Sequence, residues 1–272
     1  MRTLLILSLV LAVLTYGCKD DGPDETRLLS YGTPYELLPE ILNGQVKSMT
    51  ERQHLVVETD GQLIAGKPMT KADRDSLNVY VDFTIWYNEN GVISRIERMI
   101  IDSLLSTWVA DIENDMITRT TLYVNETPSS YFTFTNNEKG LFLEALRYRS
   151  QADTLMGRNV YTHDTSDRLT ECLVYSSSGD LMSKFVMEYG ENDRMIRHSI
   201  YNSENIQTSG YNVEYNEMGF TSKVDYLGRE GVHLNTITTD YLKYDDHGNW
   251  LEAVRYLNGN PLKIAKRVYE YY

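Results

Sequence analysis

The densest set of oxygen and nitrogen donors in the chain is Asp245, Asp246, His247 and Asn249, flanked by Tyr244 and Trp250. Carboxylates, an amide and an imidazole so close together suit a calcium ion or the hydroxyls of a sugar, and the flanking rings suit a sugar face. The same residues suit a hairpin tip, where Asp and Asn side chains satisfy backbone donors. Tyr244, Asp245, Asp246, Asn249 and Trp250 are therefore a weak binding candidate, with the turn as the competing reading. Nothing comparable marks a catalytic centre. His54, His163, His198, His233 and His247 fall in scattered strand-like or turn-like contexts, without the two histidines one helical turn apart and intervening glutamate of a zinc hydrolase. There is no glycine-rich loop leading into Lys-Ser/Thr and no Gly-x-Ser-x-Gly elbow. Paired carboxylates are unavoidable among 39 acidic residues, but a sequence does not show which of them share a cleft. Cys172 stands in the strand-like run Leu169 to Val174 and reads as a small buried hydrophobe. No enzyme activity, metal or cofactor is expected.

The elements that position these residues emerge from the tyrosines, 21 in all. Phe134, Tyr161, Tyr189, Tyr215, Tyr244 and Tyr271 follow one another at steps of 27, 28, 26, 29 and 27 residues. A second set, Tyr148, Tyr175, Tyr201, Tyr226 and Tyr256, falls about half-way between them. Each unit of this period is two strands and two turns. Val79, Val81, Phe83, Ile85 and Tyr87 alternate with Tyr80, Asp82, Thr84 and Trp86, the period-2 signature of a strand with one apolar face. Asn90-Gly91, Ser178-Gly179, His247-Gly248-Asn249 and Asn258-Gly259-Asn260 supply residues that tolerate positive φ at hairpin tips. The expected fold is all-β with minor helix near the N-terminus: an antiparallel meander over 79–272, forming a curved, twisted sheet or a partly closed barrel. Residues 31–78 read as an atypical N-terminal cap on the first repeat, with a hairpin from Val46 ending at Asp60-Gly61 and a capped helical turn starting at Thr70-Lys71-Ala72-Asp73. Tyrosines on the outside would form a ladder for sugar rings, and tyrosines on the inside would be core. Trp86, Trp108 and Trp250 discriminate between the two, because an exposed tryptophan is costly to leave in water.

Ahead of this domain, Leu4 to Leu14 is an apolar run broken only by Ser8 and preceded by Arg2. It is about half the length of the roughly 20 residues that a spanning helix needs, so residues 1–17 read as an export signal. The segment Thr15-Tyr16-Gly17-Cys18 resembles a bacterial lipobox, with Thr15 where leucine is usual and a bulky Tyr16. The resemblance implies cleavage before Cys18 and lipid attachment there; ordinary cleavage, giving a soluble secreted or periplasmic protein, is the alternative. Lys19-Asp20-Asp21 resembles the acidic export tag of Bacteroidetes surface lipoproteins, at the start of a flexible tether over 18–30. With Cys18 lipidated, Cys172 has no disulfide partner. Asp75-Ser76-Leu77, Asp102-Ser103-Leu104 and Asp153-Thr154-Leu155 resemble Bacteroidetes envelope O-glycosylation acceptors.

The net charge of -13 and the lack of a basic run argue against a nucleic-acid partner, whose phosphates such a surface repels. Tyr244-Asp245-Asp246-His247-Gly248-Asn249 is similar to the YD motif of RHS-type repeats, and the flanking pattern resembles the β-hairpin repeats of Bacteroidetes lipoproteins. Large RHS proteins build shells around a toxin, for which five or six units are too few. These readings imply an outer-membrane lipoprotein, anchored through its N-terminus, whose repeat surface binds a glycan, a peptide or an envelope protein. A spacer without a ligand is the alternative; a carboxylate-based glycoside hydrolase and an apolar-ligand carrier rank below it.

Overall fold

The computed structural model describes residues 42–70, 72–73, 82–100 and 103–272. The leader, Cys18, Lys19, Asp20, Asp21, the tether and residues 31–41 of the expected cap lie outside the described residues. So do most of the first two glycosylation-like triplets.

The chain is a meander of antiparallel strands. The first hairpin is β1 (Val46–Thr59) and β2 (Gln62–Pro68). Then follow β3 (Asp82–Tyr87), β4 (Ile93–Ile100), β5 (Ser103–Glu113), β6 (Met116–Val124), β7 (Thr127–Asn136) and β8 (Phe142–Arg149). The repeats continue through β9 (Thr154–His163), β10 (Leu169–Ser176), β11 (Leu181–Tyr189), β12 (Met195–Asn202) and β13 (Gln207–Tyr215). The last four are β14 (Thr221–Leu227), β15 (His233–Tyr244), β16 (Trp250–Leu257) and β17 (Asn260–Tyr271).

Each strand from β3 to β17 pairs with the next, and β1 inserts between the two ends, against β17 on one side and β3 on the other. The result is a closed barrel of 16 strands, more complete than the partly closed one expected. Residues 46–54 are thus a stave of the wall and not a cap laid over the first repeat. A terminal strand left as a cap would leave β3 and β17 with unpaired edges, and inserting it removes both. Beyond His54 the partner of β1 changes to β2, around a turn at Asp60 (φ 52) and Gly61 (φ 74). The hairpin expected over 46–60 is instead one long strand, and Asp60-Gly61, expected at its end, is the tip that joins it to β2. The Thr70 turn also forms, with Thr70 N and Asp73 Oδ2 at 2.9 Å and Asp73 N donating back to Thr70 Oγ1 at 3.2 Å, a reciprocal capping box.

Most of the longer turns share one device. Asn88, Asn137, Asp164, Asn202 and Asp245 each accept through Oδ1 the backbone N–H groups two and four residues on, at 2.8–3.1 Å. Positive φ falls on Gly91, Gly140 and Gly248 in three of these turns. After Tyr161, where the glycine is missing, Asp167 takes its place at φ 64, and after Tyr189 Asp193 does so at φ 58. Aspartate enters the left-handed region more readily than other non-glycine residues, so the repeat persists where its glycine does not. Two tips, Asn114-Asp115 and Asn125-Glu126, have positive φ at both residues and contain no glycine.

Alternation then sorts the wall. Met49, Ile85, Ile96, Trp108, Leu122, Phe132, Ala145, Tyr161, Cys172, Phe185, Ile200, Tyr211, Val224 and Ile237 are buried in one continuous apolar cluster. A circular barrel of 16 strands leaves an aqueous channel. A packed interior therefore requires opposite walls to lie against each other, as in a sandwich. Cys172 is fully buried, and burial pushes its thiol well above the ordinary range. The outward positions carry charges at mid-strand, among them Glu97, Arg119, Glu144, Arg158, Lys184 and Lys223. A membrane-spanning barrel needs an apolar band there and a polar interior; this wall has the opposite polarity.

Among the buried polar residues, His198 stands in the middle of the apolar cluster. His198 on β12 sits between the rings of Phe185 and Tyr211, at 5.6 and 5.0 Å, and neither ring nitrogen has a hydrogen-bond partner among the described residues. Burial pushes its pKa down to about 4. Because the unfolded histidine titrates near 6.5, unfolding takes up a proton between these values. The neutral form's stability is full above pH 6.5 and is lost as pH falls towards 4, by about 3 kcal/mol. Denaturant midpoints of the wild type and His198→Leu from pH 7 to pH 4 are expected to converge or cross as pH falls. Parallel curves for the two proteins would rule out this role for His198.

Candidate functional site

The sequence-predicted cluster is brought together, with its members in distinct places. Asp245 caps its turn by accepting the N–H groups of His247 and Asn249, and its other oxygen meets the Tyr271 hydroxyl. Asn249 is fully buried: Oδ1 accepts the Asn43 N–H at 2.8 Å, while Nδ2 donates to the Asn43 carbonyl and to Tyr271 Oη, both at 2.8 Å. These bonds fasten the segment entering β1 to the turn between β15 and β16. Trp250 is also fully buried, with the Arg267 guanidinium 3.8 Å from its ring centroid, so it offers no ring face to a ligand. Tyr244 packs on Phe220 and keeps an exposed edge, and Asp246 is exposed.

Beside Trp250 lies a buried charge cluster at the barrel seam. Glu51 of β1 stands opposite Arg267 of β17 and Phe83 of β3. Its Oε2 accepts Arg267 Nε at 2.8 Å, and its Oε1 accepts Arg255 Nη1 at 3.0 Å and Gln53 Nε2 at 2.7 Å. Burial alone would raise this carboxyl; the charges of Arg255, Arg267 and Lys263 overcome it and hold the pKa at about 2. The arrangement joins residues more than 200 positions apart and is a structural lock.

The tyrosines divide between the two faces. Tyr161, Tyr211 and Tyr226 face the core. Four more tyrosine hydroxyls bond to a carbonyl at the start of the preceding strand: Tyr189 to Leu169, Tyr215 to Met195, Tyr241 to Thr221 and Tyr269 to Trp250, at 2.7–3.2 Å. Sequence spacing placed Tyr244 and Tyr271 in this series. Register shifts between Tyr241 and Tyr244 hand the position to Tyr241, and Tyr269 takes it in the last repeat. Of the half-way set, Tyr148, Tyr175, Tyr201 and Tyr256 face outward, where Arg158 covers Tyr175 and Lys184 covers Tyr201. Tyr226 is the inward exception, opposite Tyr211.

Outward-facing residues of β5, β6 and β7, together with the turn after β8, enclose an open groove of about 520 Å³. Tyr131 forms one wall. Its ring stacks on Tyr148 at 4.9 Å and 13°, its hydroxyl meets Asp153, and the Arg119 guanidinium lies 3.9 Å from its centroid on β6. The hydrogen bond to Asp153, burial and the Asp153 charge raise the Tyr131 pKa against the opposing pull of Arg119. Asp111 is directly opposite Arg119 in the β5–β6 register. No ion pair joins them, and neither side chain has a hydrogen-bonding partner among the described residues; the Thr118 hydroxyl bonds only the Asp111 carbonyl. Ser150 Oγ, in the same lining, is buried without a partner among the described residues. Tyr123, Pro128 and Val109 supply apolar surface. Such a site binds by hydrogen bonds and stacking; its free carboxylate accepts and its free guanidinium donates.

Among solved structures, the chain is similar to a porin-like protein from Bacteroides uniformis, with a TM-score of 0.51 and 11% identity over 84% of this chain and 98% of that one. A porin-like protein from Bacteroides vulgatus gives 0.36 with 10% identity over 83% and 98% of the two chains. The Photorhabdus luminescens Tc holotoxin pore gives 0.21 with 11% identity over 84% of this chain and 15% of that one. No protein-family profile and no curated protein matches the sequence. At 11% identity the first likeness shows the fold.

Sequence reasoning missed the groove because its residues come from four separate segments. A signal was present: folding the chain at the Asn114-Asp115 tip brings Asp111 opposite Arg119, and alternation along β6 puts Arg119, Thr121 and Tyr123 on one face.

Proposed function

We propose that this chain is a lipid-anchored cell-envelope protein that binds a glycan in the outer-wall groove without catalysis. The observation that carries the reading is the pair Asp111 and Arg119, which stand opposite each other yet leave both charged groups available in a groove with aromatic walls. The export signal and the lipobox-like Cys18 support the envelope address, and the fold shared with a Bacteroides porin-like protein is in keeping with it. The charged outer wall supports attachment through the lipid rather than through the barrel. A spacer needs no such groove. Labelled palmitate is expected to enter the wild type and not Cys18→Ala, and the purified chain is expected to retain glycans on an array. An array without retained glycans defeats the binding reading; label entering Cys18→Ala equally defeats the anchor.

A further inference from the structure

We propose that the groove selects acidic saccharides, with the Arg119 guanidinium reading a sugar carboxylate; this rests on the glycan reading above. Three observations lead there. Asp111 is the direct cross-strand neighbour of Arg119, and opposite charges in that relation ordinarily pair. Arg119 instead lies on the Tyr131 ring at 3.9 Å. Tyr131 is itself fixed by the stack with Tyr148 and by the bond from its hydroxyl to Asp153. The guanidinium is therefore positioned in advance, and its planar fork of N–H donors suits bidentate recognition of a carboxylate.

The surrounding groups decide the kind of molecule that carries the carboxylate. Asp111 accepts from hydroxyls, the unpartnered Ser150 Oγ donates or accepts, and Tyr123 with Pro128 offers apolar surface to the C–H face of a sugar ring. A ligand with one carboxylate among several hydroxyls uses all of these. An acidic peptide brings more negative charge against Asp111 and Asp153 and too few hydroxyls to use them. In a chain of net charge -13, a cation held with its donors unspent is a local exception suited to an anionic group.

The test uses the purified full-length chain in calorimetric titration with oligomers of galacturonate, glucuronate and mannuronate, each beside its carboxyl-reduced neutral counterpart. At least one acidic oligomer is expected to bind about tenfold or more tightly than its neutral counterpart, the size of one hydrogen-bonded charge contact, with a preference that falls as salt rises. Arg119→Gln is expected to bring the acidic oligomer down to the neutral affinity. Arg119→Lys, which keeps the charge without the fork, is expected to recover only part of the preference. Unchanged denaturant midpoints show that both variants fold. Equal binding of acidic and neutral oligomers by the wild type overturns the carboxylate assignment and leaves glycan binding standing. Binding of neither overturns both, and a preference retained in Arg119→Gln removes Arg119 from the role.

Discussion

Glu51→Ala is expected to lower the unfolding free energy by about 3–5 kcal/mol, the cost of removing one partner from a buried ion cluster. The carboxylate lies wholly buried among Arg255, Arg267 and Lys263, and truncation leaves like charges facing one another in an interior that water does not reach. Because Glu51 is on β1 while the arginines are on β16 and β17, the loss falls on barrel closure. Amides of β1 and β17 should exchange faster than those of β10 and β11. Glu51→Gln keeps the size of the side chain and one acceptor, and should cost less. The acid response has a definite sign. A carboxyl held at about 2 in the fold, against 4.5 ordinarily, contributes stability that is present above pH 4.5 and is lost as pH falls towards 2. That acid-side decline should be shallower in Glu51→Gln. An unchanged denaturant midpoint for Glu51→Ala would show that the cluster does not hold the seam.

Trp250→Ala is expected to cost a similar 3–5 kcal/mol, as for other large buried aromatics. The ring is fully buried in a small cluster with Phe220, Ala253 and Ala265, and alanine leaves a cavity between two arginines and these small neighbours. Arg267 touches both the ring and Glu51, so the two substitutions share a partner. The double variant should lose less than the sum of the single losses, by at least about 0.5 kcal/mol. Denaturant unfolding of the four proteins of the cycle measures this. Strict additivity would separate the aromatic contact from the ion cluster, and a loss under about 1 kcal/mol for Trp250→Ala alone would show that the cavity collapses.

Trp250 and Asn249 show what the sequence could and could not convey about the binding candidate. In the sequence they read as ligand contacts, because an aromatic and an amide beside two carboxylates look the same on a surface and in a seam. Their burial comes from Arg267 and Asn43, residues that spacing does not connect to them. Arg119 carries no signal of its own in the sequence, because a lone arginine in an alternating strand is ordinary until Tyr131 and Asp111 are placed around it.

The local physics was legible from the residues alone. Period-2 alternation, Asn/Asp/Gly tips and the recurrence of aromatics near 27 residues specify antiparallel hairpins, since strand pleat and turn geometry depend on neighbours in sequence. Tertiary structure decided the rest. Alternation tells which residues share a face but not which face turns inward, and that choice put Tyr148 outside and Tyr226 inside. Register shifts moved the bonding tyrosine from position 244 to 241. Whether the meander stays open or closes depends on β1 meeting β17, and on Glu51 finding Arg267 across 216 residues. Such a contact depends on the accumulated twist and register of every strand between them, which no local pattern encodes.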